Sequence, residues 1–104
     1  MPHPLATKPQ IAAALAALPG WQSHDGELRA SYRFRNFEAA VAFTLAIAEA
    51  AAAADHHPEW TVRYRVVDVA TTTHDSGGIT ALDLDLARRI HTLAVQASGE
   101  EVAD

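Results

Sequence analysis

Trp60-Thr61-Val62-Arg63-Tyr64-Arg65-Val66-Val67-Asp68-Val69-Ala70-Thr71-Thr72-Thr73 is the stretch that decides the fold. Trp60, Val62 and Tyr64 alternate with Thr61, Arg63 and Arg65. Val67, Val69, Thr71 and Thr73 alternate again after a change of phase near Arg65-Val66. Period two is the signature of a strand with one buried face, and the phase change marks a tight hairpin. Strands joined so closely must run antiparallel.

The same unit recurs upstream. Trp21 to His24, the pair Asp25-Gly26, and Glu27 to Arg35 read as a second hairpin, because Asp-Gly tolerates the positive φ that such turns require. Leu28, Ala30, Tyr32 and Phe34 alternate there with Glu27, Arg29, Ser31, Arg33 and Arg35. Between the hairpins, Asn36 is a suitable N-cap for a helix running to about Ala54, with Phe37, Val41, Leu45 and Ala48 recurring at helical spacing and Phe43 and Ile47 widening the stripe. The alanine run 50–54 predicts close approach to another backbone or a partner subunit. Pro58 ends any helix before the next strand.

Capping-box spacing opens two more helices, at Thr7-Lys8-Pro9-Gln10 and at Thr80-Ala81-Leu82-Asp83. Pro19-Gly20 stops the first, whose face is Ile11, Leu15 and Leu18. Leu86, Ile90, Leu93 and Ala97 line the second, and Ser98 to Asp104 reads as a frayed acidic tail. The order α-β-β-α-β-β-α predicts an α+β fold: a two-layer, four-stranded antiparallel sheet with about three helices on one face. Residues 1–104 make a single domain. Its expected large core residues are Trp21, Phe34, Phe37, Phe43, Trp60, Leu86 and Ile90.

Composition narrows the function. The chain is 49% hydrophobic and 20% charged, with a net charge of −5. Its seven arginines and single lysine are scattered, so a phosphate backbone is an unsuited partner. No cysteine means no disulfide, thiolate ligand or thiol nucleophile. The segment Met1-Pro2-His3-Pro4 lacks a signal-peptide pattern, and the uncharged stretch Ala39 to Ala48 is short for a bilayer. A soluble, cytoplasmic protein with no nucleic-acid or membrane partner is the expectation.

Chemistry concentrates in Asp55-His56-His57-Pro58-Glu59-Trp60 and in Thr73-His74 before Gly77-Gly78. Imidazole exchanges protons near neutral pH, so these histidines outweigh the separate His3, His24 and His91, which read as residues satisfied by one hydrogen bond. A polar connection that happens to carry two imidazoles explains the pair about as well. Three imidazoles and Asp55 could also hold zinc, but ligands are usually spaced to point the same way, and adjacent residues in extended chain point apart. Metal-dependent phosphoesterases with an Asp-His-His motif need further aspartate motifs that are absent here. Metal-free acid–base catalysis fits the residue types, with His74 at a strand end facing a cleft.

The segment Asp55 to Trp60, then Tyr64 and Val66, Thr72 to Thr80, Asp83 and Leu86-Ala87 closely resembles the pterin-4a-carbinolamine dehydratase family. Gly20-Trp21, Leu28, Phe34, Phe37 and Phe43 resemble its first half. The resemblance implies a hydro-lyase that dehydrates 4a-hydroxytetrahydropterin to quinonoid dihydropterin, supporting recycling of the tetrahydrobiopterin used by aromatic amino acid hydroxylases. It implies His56, His57 and His74 as catalytic, with His56 and His74 the proton-transfer pair and His57 orienting the ring. Asp55, Pro58, Trp60, Thr73, Asp75 and Asp83 are the candidate substrate-binding residues. Trp60 reads first as core, Asp83 equally as a helix cap, and Pro58 mainly as a backbone residue. No metal or other cofactor is implied, and a homodimer or homotetramer is.

One position departs from the pattern. Many members carry an acid four residues before the first histidine of the pair, where this chain has Ala52; the departure implies either weakened turnover or substitution by Asp55, with the fold undisturbed. The alternative implied by the same resemblance is a non-catalytic relative, acting as a dimerisation cofactor of a transcription factor or as an assembly chaperone for Rubisco.

Overall fold

Arg63 pairs with Val66 across the two-residue junction Tyr64-Arg65, with Tyr64 at φ 57°, closing the hairpin of β3 (Glu59–Arg63) and β4 (Val66–Thr71). The computed structural model describes residues 3–102. The second hairpin joins β1 (Gln22–His24) to β2 (Glu27–Arg33) through Asp25 at φ 50° and Gly26 at φ 77°. Positive φ at both turn positions matches the right-handed twist of the flanking strands. β2 then pairs antiparallel with β4, from Leu28 opposite Thr71 to Arg33 opposite Val66, giving the order β1-β2-β4-β3.

Three helices complete the expected α+β architecture: α1 (Lys8–Ala16), α2 (Phe37–Ala54) and α3 (Ala81–Gln96). The Thr7 hydroxyl accepts from the Gln10 amide, the Asn36 carbonyl oxygen from Ala39 and the Thr80 hydroxyl from Leu82. Caps of this kind contribute about 1 kcal/mol each. α2 and α3 pack over the sheet face carrying Leu28, Ala30, Tyr32, Val67 and Val69, and α1 adds Ala14 to the same core. The opposite sheet face carries Arg29, Ser31 and Asp68.

Trp21, Phe34, Phe43, Leu86 and Ile90 are buried as expected, whereas two other large residues are not. Phe37 is 47% exposed and Trp60 38% exposed. Trp60 lies on β3, the edge strand, with no neighbouring strand beyond it among the described residues. Phe37 reflects a rotation of the whole helix. The buried face of α2 is Ala40, Phe43, Thr44, Ile47, Ala50 and Ala51; Phe43 and Ile47 of the expected stripe lie on it, while Phe37, Leu45 and Ala48 turn outward, Leu45 63% exposed. α2 is apolar nearly all round, so periodicity did not orient it. Small Ala40 and Ala51 let the helix sit close to the sheet with Phe43 and Ile47 as its bulk. By length and mean hydropathy (1.6 over 18 residues) α2 alone among the described residues could cross a membrane; its buried face packs in the core.

The tail is also ordered further than the sequence suggested. Ser98 adopts φ 59°, the Gly99 amide reaches back to the Ala94 carbonyl at 2.8 Å, and β5 (Glu100–Glu101) pairs with Tyr32 and Arg33 of β2. A side chain at position 99 would meet the Phe34 ring at 2.8 Å, so glycine permits the approach. Residues 103–104 of the expected frayed tail, and Met1-Pro2, lie outside the described residues.

Candidate active site

α2 ends in a left-handed residue, Asp55, at φ 51° and ψ 43°. The Asp55 amide donates to the Ala52 carbonyl and the His56 amide to that of Ala51, at 3.3 and 3.1 Å. This is the paired bonding of a Schellman turn, which swings the next residue back toward the body of the protein. His56 is that residue. It is 9% exposed, and its Nε2 lies 2.6 Å from Oδ1 of Asp83.

Asp83, at the start of α3, is fully buried and holds four donors. Oδ1 accepts from His56 Nε2 and the Thr71 hydroxyl at 2.7 Å. Oδ2 accepts from the Thr73 hydroxyl at 2.7 Å and the Thr80 amide at 2.9 Å. The single Thr73 proton goes to Asp83, so in the 2.8 Å contact between hydroxyls Thr80 donates to Thr73. Burial opposes the charge on Asp83. The bonds from His56, Thr71, the Thr80 backbone and Thr73 outweigh it and hold the carboxyl below the usual range. An ionised Asp83 accepts only, so Nε2 of His56 carries a proton.

The third histidine arrives from the other side. Beyond β4 the chain turns through a 3₁₀ segment, His74–Ser76, closed by Gly77 at φ 77° and by the Thr73 amide on the Gly78 carbonyl. His74 stands exposed at its start. His56, His57 and His74 line one open cleft of about 260 Å³ together with Asp55, Thr72, Thr73 and Asp75. His56 faces inward and His57 outward, yet both border the cleft. Among the described residues no cluster of three or more histidine, cysteine or carboxylate side chains is arranged to hold a metal ion.

Residues 4–93 match the family described as pterin 4 alpha carbinolamine dehydratase. The chain belongs to this family. It is 44% identical over 88 residues to a Rhodopseudomonas palustris protein provisionally named pterin-4-alpha-carbinolamine dehydratase, covering 83% of this chain and 87% of that one. A Mesorhizobium japonicum protein of the same provisional name is 47% identical over 87 residues, covering 82% and 89%. The crystal structure of a transcriptional coactivator/pterin dehydratase from Brucella melitensis superposes with a TM-score of 0.82 at 38% identity, covering 86% of this chain and 98% of that one.

Within this member of the pterin carbinolamine dehydratase family, the expected site residues divide. His56, His57, His74, Asp55, Thr73 and Asp75 meet at the cleft. Pro58, Trp60 and Asp83 are not among its lining, and Asp83 stands directly behind His56. Ala52 lies exposed in the last turn of α2. The carboxylate on the His56 ring comes instead from Asp83 on α3. Three residues were missed: Thr72 in the cleft lining, and Thr71 and Thr80 around Asp83. The alternation of Thr71 with Thr73, followed by Thr80-x-x-Asp83, was the available signal.

Proposed function

We propose that this protein catalyses dehydration of 4a-hydroxytetrahydropterin to quinonoid dihydropterin by histidine acid–base chemistry. The observation that carries the reading is the convergence of three imidazoles on one cleft, one of them backed by a buried ionised carboxylate. The nitrogen N5 pushes out the hydroxyl at C4a, whose C–O bond breaks as that oxygen takes a proton and leaves as water. A base removes the N5 proton and the C4a=N5 double bond forms. Two positioned proton-transfer groups suffice for this elimination.

His56 and His74 are proposed as the transfer pair, reaching the cleft from opposite elements, and exposed His57 as the residue that binds and orients the ring. Asp55, Asp75 and Thr73 border the same space and supply polar partners for a pterin. The reaction would take place in the cytoplasm and return cofactor to aromatic amino acid hydroxylases. A homodimer or homotetramer is proposed as the working form, supported by the outward apolar face of α2 and by the edge of β3, which is unpaired among the described residues.

The test generates the carbinolamine with an aromatic amino acid hydroxylase and follows its dehydration. Wild type should exceed buffer, with His56→Ala and His74→Ala losing on the order of 100-fold in turnover or more and His57→Ala mainly raising KM. Wild type no faster than buffer defeats the reading, and would favour the interaction role suggested by the Brucella neighbour's coactivator name.

A further inference from the structure

The geometry points to Nδ1 of His56 as the atom that exchanges protons with substrate, and to Asp83 as the positioning residue that leaves that nitrogen bare. The inference rests on the dehydratase reading and deepens it at the same site.

Nε2 of His56 is spent on Asp83. No buried side-chain nitrogen or oxygen among the described residues lacks a partner, and His56 Nδ1 has none, so Nδ1 reaches the surface. The surface that His56 borders is the cleft. Asp83 has no comparable freedom. An ionised carboxylate offers about four acceptor directions, and its four are taken by His56, Thr71, Thr73 and the Thr80 amide. With no exposed surface, it is not available to bind a pterin. Its effect passes through the ring it holds: a neutral His56 with hydrogen on Nε2 has its lone pair on Nδ1, aimed at solvent.

The four bonds also predict what an amide would do in its place. Asp83→Asn has one acceptor oxygen and one NH₂ donor. The Thr80 amide is fixed in the backbone and can only donate, so the Asn oxygen takes the Oδ2 position and keeps the helix cap. The NH₂ then faces His56 Nε2, which must give up its hydrogen and accept. The proton moves to Nδ1, and the cleft-facing nitrogen of the neutral ring becomes a donor without a lone pair.

Nitrogen-15 NMR of histidine-labelled protein, taken where His56 is neutral, reads this directly. Wild type should carry hydrogen on Nε2 and Asp83→Asn on Nδ1. Turnover in the variant should fall on the order of 100-fold or more with KM little changed. Wild type with hydrogen on Nδ1, or a variant with the proton moved and turnover intact, overturns the proposal. If Asp83→Asn does not fold, Thr71→Val replaces it. Freed of one donor, Oδ1 keeps the His56 bond, and the Nε2–H form should persist. Wild type no faster than buffer would sink the dehydratase reading on which the Nδ1 assignment stands, whereas the wild-type tautomer tests Asp83 separately.

Discussion

At the scale of single residues, the cost of the site is concentrated in Asp83. Removing the buried carboxylate strands donors on Thr71, Thr73, Thr80 and His56, so Asp83→Ala should lower stability near pH 7 by about 3 kcal/mol. Its carboxyl titrates below the ordinary 3.8 in the folded protein. A depressed folded pKa contributes stability above the unfolded value, and that contribution drains away as pH falls through the folded one. The stability gap between wild type and Asp83→Ala should therefore narrow in acid, below about pH 5, as urea unfolding at stepped pH would register. A constant gap would mean that the charge on Asp83 is not what matters. The three histidines were legible in the sequence because imidazole is rare and they cluster. The role of Asp83 was half legible. Its cap is local, three residues from Thr80, whereas its partner His56 is 27 residues away and meets it only through the fold.

Among the elements, α2 separates what local signals reveal from what they do not. Its start at Asn36 and its last residue, Ala54, followed from capping and composition, because those effects act within a turn. Its orientation did not follow, because apolar residues surround it and the sheet selects the face whose small residues permit close packing. β5 escaped notice because two residues of a polar strand have no periodicity to read. The end of α2 carries its own prediction. Asp55 holds left-handed backbone at some cost, which glycine would relieve. Asp55→Gly should raise stability by up to about 1 kcal/mol in denaturant titrations. If the Asp55 carboxylate assists at the cleft it borders, turnover should fall in the same variant. A simultaneous loss of stability would refute the strain argument.

For the molecule as a whole, Tyr32 ties the layers together. Its hydroxyl oxygen accepts from the Trp21 indole at 2.7 Å, so its own proton goes to Nδ1 of His91 on α3, 2.8 Å away. Burial is the main reason its pKa is pushed up to about 12; the Trp21 bond acts against the shift and the nearby Glu101 charge adds to it. An acid kept neutral in the fold contributes stability that is complete below the unfolded value of 10.0 and is lost as pH rises through the folded one. The thermal unfolding temperature should therefore fall between pH 10 and about pH 12 in wild type and more gently in Tyr32→Phe. Equal slopes would show that alkaline loss originates elsewhere. The bond from the Thr80 amide to Asp83 has a last consequence, one that concerns time. A buried amide takes up deuterium only while its bond is open. Any excursion that pulls Asp83 off the Thr80 amide uncovers that amide, so uptake at this one backbone position is a clock for how often the carboxylate leaves its place behind the imidazole.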